Sequence, residues 1–295
     1  IIDADDHPVD QKPFRAIGNK LDQNDVKTVN KTQLVGQNTL GLDPTIWSFK
    51  NNQGVDAMYP QLKIFSEHEE ALIKEHSMLS TRTYVFAGEG TDTSPYIIVD
   101  EFDMKILSTL VASGESFKGV HFLVRHNAHY FDMTLNGLDY GPIGTIDQPF
   151  NGIFDGNGTD FILGLDHSNY AGLFGVVSEY GEIRHLSVSG TIQAKDFVGS
   201  IAGLNHGVIE NVYATTTIEA NHVVGGLIGL NKGILRNAYM IGHVQAANDV
   251  GGLVGINDGT VLNAYSASTV YGNHNLGGFI GSQTETGYAY YVYYN

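Results

Sequence analysis

The chain has 295 residues, enough for one elongated domain or two compact ones, and 16 Lys plus Arg stand against 32 Asp plus Glu, a formal charge of −16. That charge repels phosphate backbones and anionic headgroups, so neither nucleic acid nor an anionic lipid surface is expected as a partner, and no membrane insertion is expected. Abundant Gly, Asn, Tyr, Val and Ile with few charges describe a β-rich chain with many tight turns. There is no cysteine, hence no disulfide framework and no thiolate metal site.

From the N-terminus, IIDADDHPVD is acidic where a signal peptide would be basic and then apolar, and no apolar run reaches the roughly 18 residues of a membrane span. We therefore expect a mature, processed chain or a segment of a longer parent. Asp3, Asp5 and Asp6 form an acidic cluster that would suit calcium at a domain junction, against the simpler reading of a solvated terminus. Residues 1–65 read as a small β-rich unit and residues 66–93 as a linker with a short helix. Within the linker, HEEALIKEH fails as a zinc motif. His68 and His76 lie eight residues apart, about 12 Å along a helix, and Leu72 stands where a second ligand would be needed.

Residues 94–295 form the main body. Asp100 can cap a helix near 100–113 whose apolar face is Met104, Leu107, Leu110 and Val111, with Gly114 as its stop. His126 and His129, three apart on an expected strand, point to opposite faces. FDGNGTDF offers Asp155, Asn157 and Asp160 as calcium oxygens, although Asp-Gly and Asn-Gly are foremost turn signals. From Val198 a period of 26 residues appears: Val198, Val224, Val250 and Leu276 open successive units, and Asn205, Asn231 and Asn257 fall in phase. Gly207, Gly233 and Gly259 also share a phase, as do Asn211, Asn237 and Asn263, and Tyr213, Tyr239, Tyr265 and Tyr291. A coil with a two-residue insertion near Glu179 precedes them.

Short alternating apolar runs broken by Gly and Asn are strands, and 26 residues with three strands and three corners make one coil of a solenoid. The fold class is thus all-β, a right-handed parallel β-helix with a short N-terminal capping helix. Stacked Asn amides would bond along the axis, and Gly would supply positive φ at corners. His222 and His274 share a column two coils apart, with Asn248 between them. Glu210 stacks against Arg236 and Lys232 against Asp258, so charged neighbours alternate in sign.

VGGLIGLNKG, VGGLVGINDG and LGGFIG resemble the GLUG motif of large bacterial surface proteins, among them adhesins and the non-catalytic regions of Gram-positive IgA-protease-like zinc metalloproteases. PYIIVDEFDMKILSTLVASGESFKGVHFLV with GPIGTIDQPFNGIFDGNG resembles the lead-in to such an array, and TIWSFKNNQGVDAMYPQLKIF resembles its closing segment. RHNAHYFDM stands where relatives carry an Asp-Ile-Asp run. The resemblance implies a non-catalytic structural or adhesive segment of a secreted or cell-surface protein, within a longer parent chain. Its partners would be a host surface protein or glycan, or extracellular polysaccharide, and it needs no cofactor unless calcium is bound. Two alternatives stand beside it: an accessory region of a surface zinc metalloprotease with its catalytic domain elsewhere, and a β-helical polysaccharide lyase or hydrolase. The last requires two or more carboxylates within about 10 Å in a groove. The terminal YAYYVYYN offers Tyr288, Tyr290 and Tyr293 as a sugar-stacking platform, or as a strand with alternate residues facing the core.

Overall fold

The computed structural model describes residues 15–17, 26–28, 47–50 and 56–62 as backbone strands, and residues 86–125, 130–135, 138, 140–167 and 169–294 with their side chains. It is a parallel β-solenoid of about seven turns with roughly 26 residues per turn, with one helix among the described residues. One turn shows the plan. Val208–Glu219, His222–Gly225 and Ile228–Asn231 are three strands separated by short corners, and each pairs in parallel with its equivalents before and after. The long strands form one sheet, running from Tyr96–Ile98 to Tyr288–Tyr294. The two short-strand stacks join into a second sheet through His274–Gln283, which spans both.

Alternation along each strand decides which residues go inside. Ile209, Val212, Ala214 and Ile218 are wholly buried, and their register partners Leu235, Ala238, Met240 and Val244 continue the same four columns. Each apolar residue of a column therefore packs against the next coil's apolar residue about 4.8 Å away, like on like at Ile218 and Val244 and small against large at Ala214 and Met240. Among the polar columns, Asn205, Asn231 and Asn257 are fully buried, and Nδ2 of each of the first two donates to Oδ1 of the next at 2.9 Å. At another corner, Asn263 donates to Asn237 at 2.7 Å and Asn237 to Asn211 at 3.1 Å. Tyr213, Tyr239 and Tyr265 stack with centroids 4.6 and 5.0 Å apart.

Two expectations about the repeat need correction. The left-handed corners are not made by the recurrent glycines. They fall on Asn157, His185, Asn211, Asn237, Asn263 and Tyr291 in one column and on Tyr170, Phe197, Val223, Asp249 and Asn275 in another, all with φ between 50° and 58°. Asn tolerates that region because its short side chain bonds locally, and here the ladder fixes it. Gly233 serves close approach instead: a Cβ there would lie 2.1 Å from the Gly207 carbonyl oxygen. The second correction concerns Tyr291. Tyr265 pairs with Tyr293, because the period lengthens from 26 at Asn257↔Gln283 to 28 at Thr260↔Tyr288. The two added residues lie in the turn over 284–287, which Asp258 holds by accepting from the Thr284 and Thr286 hydroxyls.

The N-terminal end is covered by α1 (Glu101–Ala112), which lies between the parallel strands Tyr96–Ile98 and His121–Val124. Asp100 caps it by accepting from the Phe102 and Asp103 amides. At its other end Gly114, with φ 97°, lets the Gly114 and Glu115 amides reach back to Val111 and Leu110. Met104, Leu107 and Val111 join the solenoid core. Leu110 is only half-buried, and Ser108 takes the inward place, donating to the Gly141 carbonyl at 2.8 Å.

At the opposite end two strands from the start of the chain extend the coils. Arg15–Ile17 pairs in parallel with His274–Gln283, and Val26–Thr28 with Tyr288–Tyr294, with Lys27 opposite Tyr293. Trp47–Lys50 and Asp56–Leu62 form an antiparallel hairpin.

Candidate functional site

The sequence-derived positions disperse over the shaft. Asp155 sits at the bulge where the early coil carries two more residues than the next, its register passing from Arg184↔Asp155 to Leu186↔Thr159. Its Oδ1 accepts the Asn157 amide at 2.9 Å, and its Oδ2 accepts Arg184 Nε at 2.9 Å, while His185 Nδ1 is 3.1 Å from both oxygens. Arg184 also donates to Glu182 at 2.7 Å. Burial would push the Asp155 carboxyl up, but the His185 hydrogen bond and charge, the Asn157 amide and Arg184 outweigh it and hold it below the ordinary 3.8. Asn157 Nδ2 donates to the Val124 carbonyl, and Asp160 accepts the Ser187 and Ser189 hydroxyls, both at 2.7 Å. Among the described residues no group of three or more His, Cys, Asp or Glu converges as a metal site. Asp3, Asp5 and Asp6 lie outside the described residues, as do His68, His76, His126 and His129.

Tyr288 and Tyr290 do come together, both exposed, with near-parallel rings 6.1 Å apart. Tyr293 is buried and stands apart from them in the Tyr265 column. His222 and His274 flank Asn248, whose Nδ2 is 2.8 Å from His222 Nδ1. Where the copies differ, Arg236 Nε bonds Glu210 one coil away.

One concave feature was not singled out from the sequence. A cleft of about 380 Å³ runs along the corner where the long strands end, across four successive coils. Its spine is a register column: Asp166 pairs with Gln193, Gln193 with Glu219, and Glu219 with Gln245. Gln245 pairs in turn with Tyr271. The next residues round the corner add Lys195 and Asn221 to the wall. The backbone there is satisfied coil to coil, as in Ala194 N–H to Glu219 and Ala220 N–H to Gln245. The column escaped notice because no residue type recurs in consecutive copies.

No family model matches the chain. Over 142 residues, 45% of this chain, it is 35% identical to a protein of Evansella cellulosilytica named "Putative Gly-rich membrane protein", of whose length it spans 16%. Among solved structures, a chain titled "putative immunoglobulin A1 protease from Bacteroides ovatus" superposes with a TM-score of 0.51 at 22% identity, covering 68% of this chain and 65% of that one. At that identity the likeness is one of fold. No helix among the described residues is long and apolar enough to cross a membrane.

Proposed function

We propose that this chain is a GLUG-type, non-catalytic scaffold and adhesive segment of a bacterial surface protein, presenting a rigid shaft toward host or polysaccharide ligands. The observation that carries this reading is the division of labour among polar columns. Residues that recur every 26 positions bond their own copies in the next coil, as Asn205, Asn231 and Asn257 do. The polar side chains along the cleft, Asp166, Gln193, Lys195, Glu219 and Gln245, vary from copy to copy and face solvent. A shaft whose recurrent asparagines bond one another while the residues of its open corner change from coil to coil suits display better than turnover. The naming of the Evansella relative as a membrane protein supports placement at the cell envelope.

The fold shared with a chain titled as an immunoglobulin A1 protease favours a second reading, an accessory region that positions a protease domain lying outside these residues. The test is to immobilise the chain and challenge it with host glycoproteins, glycans and bacterial polysaccharides while monitoring product release. Saturable retention with no cleaved product supports display. Cleavage by the isolated chain overturns it, and an HExxH motif in the same open reading frame selects the accessory reading.

A further inference from the structure

We infer that the corner cleft binds an extended, neutral polysaccharide laid parallel to the solenoid axis, one sugar to each coil. The assignment rests on the adhesive reading above and gives it a ligand class and a place. Its first support is availability. The side chains of Asp166, Gln193, Lys195, Glu219 and Gln245 make no hydrogen bond or ion pair within the protein among the described residues, and all five are exposed. Several other polar columns are used internally: the Asn ladders bond themselves, Glu210 holds Arg236, and Asp160 holds Ser187 and Ser189. The cleft column thus carries hydrogen-bonding groups with no structural employment.

Spacing supplies the second support. Register-paired residues repeat about every 4.8 Å along the axis, and an extended β-linked hexose chain advances by about 5 Å per sugar, so four sugars drift by only about 1 Å against four coils. A carboxylate accepts hydroxyl hydrogens and an amide both donates and accepts, so the alternation of Asp166, Gln193, Glu219 and Gln245 meets the mixed donor and acceptor rim of successive sugars. At the end of the column Tyr271 is 57% exposed and presents an aromatic face with a polar tip. The third support is charge. Two carboxylates outnumber the single Lys195 on a chain of net charge −16, which rejects polyuronates and sulfated glycans and leaves neutral chains. The volume lies within the range of small-ligand sites, about 300–1,000 Å³, but is stretched over several coils.

The test is calorimetric titration of the full chain with neutral β-1,4-linked hexose oligosaccharides of two to six units, with oligogalacturonates of matched length as the acidic comparison. Affinity should rise several-fold per unit up to four or five units and then level. Gln193→Ala combined with Gln245→Ala should weaken the longest ligand at least tenfold with unchanged melting temperature, and Tyr271→Ala should remove only the gain from the last unit. Length-independent binding, preference for the acidic series, or binding untouched by the double variant would overturn the cleft assignment. Cleavage of the oligosaccharide would overturn it in favour of the hydrolase alternative. Failure of every glycan while the chain still retains a host protein would sink the cleft and leave the adhesive reading standing.

Discussion

The buried amide ladder allows a quantitative test at Asn231. Its Oδ1 accepts from Asn205 and its Nδ2 donates to Asn257, both at 2.9 Å, in a site with no solvent exposure. Asn231→Leu is close in size, so packing changes little while both ladder bonds vanish, together with the longer Nδ2 bonds to the Gly233 and Thr260 carbonyls at 3.3 Å. Asn205 Nδ2 keeps the Gly207 and Ile234 carbonyls as acceptors. Asn257 Oδ1 loses the Asn231 amide and stays buried. Two net hydrogen bonds at about 1 kcal/mol each, plus about 1–3 kcal/mol for the stranded oxygen, give a destabilisation of about 3–5 kcal/mol. Replacing Asn205, Asn231 and Asn257 together with Leu should cost less than three times that figure, because the ladder's own donors and acceptors disappear in pairs, while the Gly207 amide and the Gly207, Gly233 and Gly259 carbonyls are among the backbone groups that lose side-chain partners. Urea unfolding followed by circular dichroism and tyrosine fluorescence measures both, coincident curves being required since repeat arrays can lose cooperativity. A single-variant loss below about 1 kcal/mol, or a triple loss equal to the sum, would refute the reasoning.

Two further expectations concern other parts of the shaft. Because the Asp155 carboxyl is held below the ordinary 3.8, the stability it contributes is complete above that value and is lost as pH falls through its lowered folded value. Asp155→Asn should therefore be less stable than the parent by about 1–3 kcal/mol at neutral pH, with the gap closing in strong acid; thermal melts at a series of pH values decide this, and a gap that persists at low pH contradicts it. At the far end, Lys27 and Tyr293 are register partners, and neighbouring parallel strands about 4.8 Å apart lie within disulfide reach. In a chain without native cysteine, Lys27→Cys with Tyr293→Cys should oxidise to a compact monomer on non-reducing gels. A dimer would assign the pairing to two copies, and the absence of any crosslink would remove it.

Much of the architecture was legible because a solenoid residue's neighbour is its own copy. The column Val198, Val224, Val250 and Leu276 can be written down by counting, and it appears as pairing between coils. Counting fails where the period changes. In YAYYVYYN tyrosines satisfy either phase, and the choice is made by contacts that counting does not carry: Asp258 holds the lengthened turn, and Val292 takes the buried place beside Ala264. The glycines misled for a different reason. Gly recurs wherever Cβ is forbidden, and close approach forbids it as firmly as positive φ does, so spacing alone does not separate Gly233 from Gly114. The cleft was hidden by the method that revealed the rest. Asp166, Gln193, Glu219 and Gln245 differ from copy to copy, and the first step of their column spans 27 residues rather than 26.

The two asparagine ladders also set the electrical character of the shaft. The buried one passes its hydrogens from Asn205 through Asn231 to Asn257, toward the later coils, while the corner one passes them from Asn263 through Asn237 to Asn211, toward the earlier ones. Each is a chain of amide dipoles whose members polarise one another, and the two run in opposite senses. The two chains oppose one another along the axis, unlike the aligned peptides of an α-helix, whose ends carry partial charge. Such a shaft can lengthen by whole coils, each adding one amide to both ladders in opposite senses.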